Sequence, residues 1–167
     1  MSIELKEINR ENFIECVLLT TNKEAYDENG ELTWQIEPLM FEETVDSNVF
    51  NIALSKVQDG WSTKAIYNND IMIGFAMFGY NNDFKYYEIA SIMIDARFQG
   101  KGYGTIALKK IVNDMKNIKD CEEVFLQVEQ ENQSAIKFYE RFGFTNTGKL
   151  QTKNGETFDT LLNLRTS

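Results

Sequence analysis

The sequence has no histidine, a single proline (Pro38) and only two cysteines, Cys16 and Cys121. Lack of histidine excludes Ser-His-Asp and Cys-His catalysis and imidazole-based metal sites, so no metal is expected. The cysteines stand far apart without Cys-x-x-Cys spacing and read as small buried hydrophobes. No apolar run approaches the roughly 20 residues that span a bilayer, and the N-terminus has no signal-peptide pattern. The expectation is a soluble, cytoplasmic protein with no membrane partner. Positive charge is also scarce, with 17 Lys and Arg against 26 Asp and Glu and a net charge of −9. Nucleic acid, whose phosphates need a basic footprint, is therefore not an expected partner. Chemistry is left to Tyr, Asp, Glu, Lys, Ser, Thr, Cys and the backbone.

What is present is an ordinary globular composition, 43% hydrophobic and 13% aromatic over 167 residues. That length suits one domain, residues 1–167, closing one apolar core. Between Glu24 and Ser55 stand eight carboxylates (Glu24, Asp27, Glu28, Glu31, Glu37, Glu42, Glu43, Asp46) and no Lys or Arg. Such a run reads either as a solvated acidic face or as an electrostatic funnel for a cationic amine.

Hydrophobic periodicity sets the order of elements. Ile3-Glu4-Leu5 alternates as a first strand, and Asn9 is a candidate N-cap for a short helix with Phe13, Ile14, Val17 and Leu18 on one side. Residues 22–60 read as a second helix plus loops, around Phe41 to Val57. Lys64–Asn68 and Ile71–Tyr80 form two strands meeting at a tight turn, Asn69-Asp70. After the polar turn Asn81-Asn82-Asp83, Tyr86–Asp95 is rich in strand formers. Ile106, Ala107, Leu108, Ile111, Val112, Met115 and Ile118 keep a 3.6-residue period, opposite Lys109, Lys110, Asn113 and Asp114. Val124–Glu129 is a strand. Gln133–Phe142 is a helix with Ala135, Phe138, Tyr139 and Phe142 on one stripe, stopped by Gly143. Phe144–Leu150 and Thr157–Leu164 close the chain as a hairpin around Asn154-Gly155. The fold class is a mixed α/β sheet.

Between the strand ending near Asp95 and the helix lies Gln99-Gly-Lys-Gly-Tyr-Gly104. Closely spaced glycines let backbone N–H groups converge without Cβ atoms in the way, and the helix start adds unpaired N–H groups and a positive dipole end. Together they form a cradle for a phosphate or pyrophosphate, with Lys101 adding charge at the rim. The spacing Gly100, Gly102, Gly104 does not fit G-x-x-x-x-G-K-[ST], and G-x-G-x-G is not the dinucleotide fingerprint G-x-G-x-x-G.

Two blocks carry a family resemblance. Met93-Ile-Asp-Ala-Arg-Phe-Gln-Gly-Lys-Gly-Tyr-Gly104 resembles the acetyl-CoA signature of the GNAT N-acetyltransferases, Q/R-x-x-G-x-G/A, through Gln99, Gly102 and Gly104. Asn132-Gln-Ser-Ala-Ile-Lys-Phe-Tyr-Glu-Arg-Phe-Gly-Phe144 is similar to the family's N-x-x-A-x-x-x-Y-x-x-x-G-F segment. With the flanking strands the resemblance covers residues 64 to 164. Ile73–Gly79, Met93–Gly104 and Ile136–Phe144 look like one branch, the bacterial spermine/spermidine (diamine) N-acetyltransferases. The resemblance implies a mostly antiparallel central sheet with helices on both faces, a homodimer, and acetyl transfer from acetyl-CoA (coenzyme A) to an amine, here a cationic polyamine.

The roles it implies fall on particular residues. Gln99, Gly100, Lys101, Gly102, Tyr103, Gly104 and Thr105 would hold the pyrophosphate through backbone N–H groups. Ile92, Met93 and Ile94 would pair with the pantetheine arm like an added strand, one N–H polarising the thioester carbonyl. Asn132 corresponds to a cofactor-side Asn, although from its chemistry an N-cap serves equally. Tyr139 would protonate the leaving thiolate, a phenol of pKa about 10 facing a thiol of about 8.5. The family carboxylate position, nine residues before Gln99, is Ala90. Glu88 lies on the same strand face and is the candidate base, against a solvated edge glutamate. Two further readings stay open: an acetyltransferase for a protein N-terminus or lysine, and a non-catalytic acyl-CoA-binding module.

Overall fold

The fold is described from a computed structural model for residues 2–33, 47–153 and 156–166. Its elements follow the expected order: strand, helices, three strands, helix, strand, helix, two strands. They are β1 (Ile3–Glu7), α1 (Phe13–Leu18), α2 (Asn48–Val57), β2 (Trp61–Asn68), β3 (Ile71–Asn81), β4 (Tyr86–Ile94), α3 (Tyr103–Lys116), β5 (Glu123–Glu129), α4 (Gln133–Phe142), β6 (Thr145–Lys153) and β7 (Glu156–Arg165). Short 3-10 turns stand at Lys23–Ala25 and Ala96–Phe98. The turn Asn154-Gly155, like residues 34–46 with Glu37, Phe41, Glu42, Glu43 and Asp46, lies outside the described residues.

Local chemistry explains several boundaries and corrects others. Helix α1 starts three residues later than the expected cap Asn9, after Asn12, whose side chain caps no helix amide. The Asn9 Oδ1 accepts from the N–H groups of Glu11 and Asn12 and so shapes the turn that leads into the helix. The expected apolar side of α1 is also only partly buried: Ile14 is 64% exposed, whereas Cys16 is fully buried. Ser47 caps α2 by accepting from Phe50 N–H, which places the helix in the later half of the stretch expected for it. At the β2–β3 turn Asn69 has φ 55°, a left-handed conformation that Asn tolerates better than most residues. Asp95 is not a strand residue but the cap of the 3-10 turn after β4.

The seven strands lie in one sheet of order β1-β2-β3-β4-β5-β7-β6. Pairing is antiparallel for β1–β2, β5–β7 and β6–β7, and parallel for β4–β5 at Tyr87↔Val124 and Glu88↔Phe125. By internal contacts the chain forms two compact units, Met1–Met77 with Ser91–Lys110, and Phe78–Ala90 with Ile111–Ser167. In the first, Ile66, Met72, Ile73, Phe75 and Leu108 are fully buried; in the second, Ile111, Met115, Val124 and Leu162 are. Each such side chain contributes about 1.5–3 kcal/mol relative to exposure. Along α3 the expected stripe is buried at Ala107, Leu108, Ile111, Val112 and Met115 and half-buried at Ile106, but Ile118 lies past the helix end and is exposed. No helix among the described residues is long and apolar enough to cross a membrane.

Candidate active site

In the first unit, the glycine loop follows β4 and runs into α3, whose first turn already contains Tyr103, Gly104 and Thr105. Gly100 and Gly102 have φ of 77° and 79°, and a Cβ added at either would meet nothing within 4 Å. Glycine is required there for conformation, not for space. Among the described residues, no backbone N–H from Gln99 to Thr105 donates to a partner outside regular elements, and Ile106 is the first to turn back, onto Gly102 O at 3.4 Å. A helix start leaves its first N–H groups without intrahelical partners, so loop and helix present a run of donors at an exposed surface. This arrangement fits a pyrophosphate.

The walls of the loop are fixed by side chains. Gln99 Nε2 donates to Ile94 O at 2.9 Å, so the signature glutamine braces the end of β4. Lys101 Nζ donates to Arg97 O at 3.4 Å and lies 5.7 Å from the Phe98 ring centre. Asn68 Nδ2 donates to the Tyr103 hydroxyl at 3.2 Å, tying β2 to the start of α3. Within β4, Ile92, Met93 and Ile94 are all half-buried, whichever way they point, while residues 72–79 of β3 are buried without a break. Among the described residues β4 pairs with β5 at Tyr87 and Glu88, and β4 continues to Ile94. Backbone groups of Ile92–Ile94 therefore have an edge to offer.

Sequence reasoning missed the residue on which this corner turns. Asp95 is fully buried, with Oδ1 accepting from Arg97 N at 3.1 Å and Arg97 Nε at 2.9 Å. Its Oδ2 accepts from Thr20 N at 3.1 Å and from the Tyr26 hydroxyl at 2.5 Å. Burial alone would raise this carboxyl, but the hydrogen bonds from Arg97, Tyr26 and Thr20 outweigh it and hold it below the ordinary value. Tyr26 is pushed up by burial and by the same bond to Asp95. An Asp two residues before a charged side chain, at the end of a strand, carries the signal of a cap, which was legible in advance.

In the second unit, α4 spans the expected residues and ends at Gly143, φ 119°, whose N–H bonds back to Tyr139 and Glu140 carbonyls. Asn132 Oδ1 accepts from Ala135 N at 3.0 Å and thus caps the helix. The tyrosine at the centre of the motif, Tyr139, packs edge-on against Phe138 at 5.1 Å and Phe144 at 5.8 Å. Its hydroxyl has no hydrogen-bond partner among the described residues, and burial pushes the phenol up to about 12. The stripe expected on α4 is half-buried throughout, and the buried residue of the helix is Ile136, which lies outside that stripe.

Glu88 sits on β4, an inner strand, and is 4% exposed. The solvated edge glutamate weighed against the base is therefore not what the fold contains. Its Oε2 accepts from Asn81 Nδ2 at 2.6 Å and its Oε1 from Gln127 Nε2 at 2.7 Å. Tyr86, two residues earlier on the same face, stacks near Phe84 and packs 4.7 Å from Phe125. Asn81 and Gln127 had no motif to announce them; only sheet register brings them to Glu88. Among the described residues no group of three acidic or sulfur side chains could hold a metal ion.

A sequence profile described as the Acetyltransferase (GNAT) family matches residues 20–144. The chain belongs to this family. It is 35% identical over 97 residues to a spermine/spermidine N(1)-acetyltransferase of Bacillus subtilis, covering 54% of this chain and 63% of that relative. The chain thus spans less than two thirds of the length of that relative. It is 40% identical over 62 residues to N-alpha-acetyltransferase 30 of Xenopus laevis, covering 37% of this chain and 22% of the relative. Among solved structures, a spermidine N-acetyltransferase SpeG chimera of Vibrio cholerae and hSSAT superposes with a TM-score of 0.69 at 18% identity, covering 99% of this chain and 96% of that one. The PaiA N-acetyltransferase of Thermoplasma acidophilum, solved in complex with coenzyme A, gives 0.63 at 21% identity, covering 99% of both chains. At these identities the structures speak for the GNAT fold alone, and it is the mixed, mostly antiparallel sheet expected.

Proposed function

We propose that residues 1–167 act as one N-acetyltransferase domain that moves an acetyl group from acetyl-CoA to a primary amine, with a polyamine or diamine such as spermidine or spermine as acceptor. The observation that carries this reading is the loop 99–105, with two left-handed glycines over open space and a run of backbone donors without partners among the described residues at a helix start. Bound acetyl-CoA would supply the activated acetyl thioester. Gln99 to Thr105 would hold its pyrophosphate, Ile92 to Ile94 would pair with the pantetheine arm through their backbone, and one N–H there would polarise the carbonyl. Asn132 keeps its side-chain N–H groups for the cofactor while its oxygen caps α4.

Proton handling falls to two side chains. Tyr139, pushed up to about 12, stays protonated and can hydrogen-bond to negative charge building on sulfur, but burial makes it a weaker acid than an ordinary phenol, so complete transfer of its proton to a thiolate of about 8.5 runs uphill. Glu88 is the proton acceptor for the incoming ammonium, reached through a water, and Asn81 and Gln127 orient it. The exposed carboxylates Glu24, Asp27, Glu28 and Glu31, with the net charge of −9, favour a cationic acceptor. The likeness to the Bacillus spermine/spermidine enzyme supports the same class. A homodimer belongs to this reading through the family resemblance, with light scattering as its test, and a cytoplasmic location is the expectation from the sequence pattern.

A panel of amines assayed for thiol release decides the matter. Spermidine or spermine should be turned over in preference to lysine peptides and to peptides with a free N-terminus. Preferential turnover of a free N-terminus would favour the second reading, for which the likeness to N-alpha-acetyltransferase 30 speaks. Coenzyme A binding with no acceptor turned over would leave a binding module.

A further inference from the structure

We propose that Asp95 is the positioning residue of the glycine loop, and that the Tyr26 hydroxyl couples the segment 20–33 to that loop through it. The inference rests on the reading of the loop as a coenzyme A site. A fully buried carboxylate is costly unless its lone pairs are filled, and here four donors fill them: Thr20 N, Tyr26 Oη, Arg97 N and Arg97 Nε. Those donors come from both sides. Two, from Thr20 and Tyr26, belong to the segment 20–33, and two to the turn that opens the loop.

The backbone repeats the same connection. Asp95 N donates to Ile73 O at 2.9 Å, Ala96 N to Thr20 O at 2.8 Å, and Phe98 N to Asp95 O at 2.9 Å. Residues 95–98 are thus held against β3 and against residue 20 immediately before the chain enters Gln99-Gly100. The Arg97 guanidinium completes the bracket by lying 4.6 Å from the Tyr26 ring centre and 5.3 Å from that of Phe98. Gly100 and Gly102 have no side chains to fix them, and the space where a Cβ would stand is open. The aim of their N–H groups is therefore inherited from the residues on either side, and Asp95 is the fixed point on the upstream side. Segment 20–33 carries the exposed Glu24, Asp27, Glu28 and Glu31, so a cation drawn to it meets chain already bonded to the cofactor loop.

Two variants test this, Asp95→Asn and Tyr26→Phe, in the full-length chain. Asp95→Asn keeps the shape but sets an NH2 group against donors; Tyr26→Phe removes one hydroxyl. Calorimetric titration with coenzyme A should give about tenfold weaker binding for Asp95→Asn and a few-fold for Tyr26→Phe, since loop misplacement is felt steeply. Amide exchange at residues 100–105 of the free protein should speed up about tenfold in Asp95→Asn while amides of β5 and β7 are unchanged, a local effect that general destabilisation would not produce. If Asp95→Asn does not fold, Tyr26→Phe carries the test through the same two measurements. Wild type that binds coenzyme A, with variants that bind it equally and exchange equally, overturns the inference. Wild type that fails to bind coenzyme A overturns the proposed function instead, and loop exchange then decides the positioning role by itself.

Discussion

Gly74 on β3 lies against the main chain of Met93 on β4 so closely that a Cβ at residue 74 would come within 2.3 Å of the Met93 carbonyl oxygen. No other residue lets the two strands approach this far, because the obstacle is backbone and cannot rotate away. Met93 is one of the three residues assigned to the pantetheine arm, so the absence of a side chain on β3 sets where that stretch of β4 runs.

Gly74→Ala therefore tests the link between strand packing and cofactor binding. It should cost about 1–3 kcal/mol of stability by overpacking and weaken coenzyme A binding as well. Chemical denaturation and calorimetric titration measure the two effects. A destabilised variant with unchanged affinity would show that Met93 does not meet the cofactor.

The loop glycines allow a matched comparison. Gly102→Ala forces a left-handed alanine into open space and should cost roughly 1 kcal/mol of stability. Gly30 has the same φ of 79° and the same empty surroundings, and Gly30→Ala should cost the same. Only Gly102→Ala should weaken coenzyme A binding, by about tenfold. Equal affinities in the two variants would remove the loop from the cofactor site.

Tyr139→Phe should lower kcat by about a hundredfold, within the range of acid–base catalysis, with coenzyme A affinity within about twofold of wild type. The melting temperature should barely move, because the hydroxyl bonds nothing among the described residues. Thiol release under saturating amine and a melting curve are the checks. Full activity in the phenylalanine variant would eliminate Tyr139 as the acid.

Glu88→Gln replaces an acceptor that receives two amide N–H groups with one that brings an NH2 of its own. A stability loss of about 1–3 kcal/mol is expected from the mismatched donors, together with a drop in turnover at least as large as that of Gln127→Leu, which leaves the carboxylate in place. If the Gln127 variant is the less active of the two, the carboxylate is structural.

Alkaline pH should destabilise the fold. Burial raises Cys16 from 9.0 to about 12 and Tyr139 from 10.0 to about 12. The folded chain then holds protons that the unfolded chain has already lost, so stability is complete below about pH 9 and falls as pH rises toward 12. Denaturant midpoints at pH 8, 10 and 11, roughly spanning that window, give the test; Cys16→Ala should flatten the early part of the decline.

The periodic segments were legible because periodicity is itself the physics of burial. The strand expected at Val124–Glu129 starts one residue earlier, at Glu123. The α3 stripe from Ala107 to Met115 and the helix Gln133–Phe142 with its stop at Gly143 stand where 3.6-residue spacing put them. So does the glycine loop between a strand and a helix, since only left-handed residues make that turn. Where the reading slipped, the reason was local competition. Helix α1 starts after Asn12, whose Oδ1 turns back to Asn9 N–H and caps no helix amide, while Asn9 Oδ1 accepts from Glu11 and Asn12 N–H in the turn before it.

By itself, then, the sequence determined the order of elements, the glycine loop between a strand and a helix, and the family to which these motifs belong, because each depends on residues close together in the chain. Tertiary structure alone decided which side chains surround the carboxylates. Asp95 meets Thr20 and Tyr26 across about seventy residues of chain, and Glu88 meets Gln127 across about forty. No local pattern encodes such meetings. They arise when sheet register and the buried core fix the strands, and burial then makes every unfilled lone pair costly enough to select its partners.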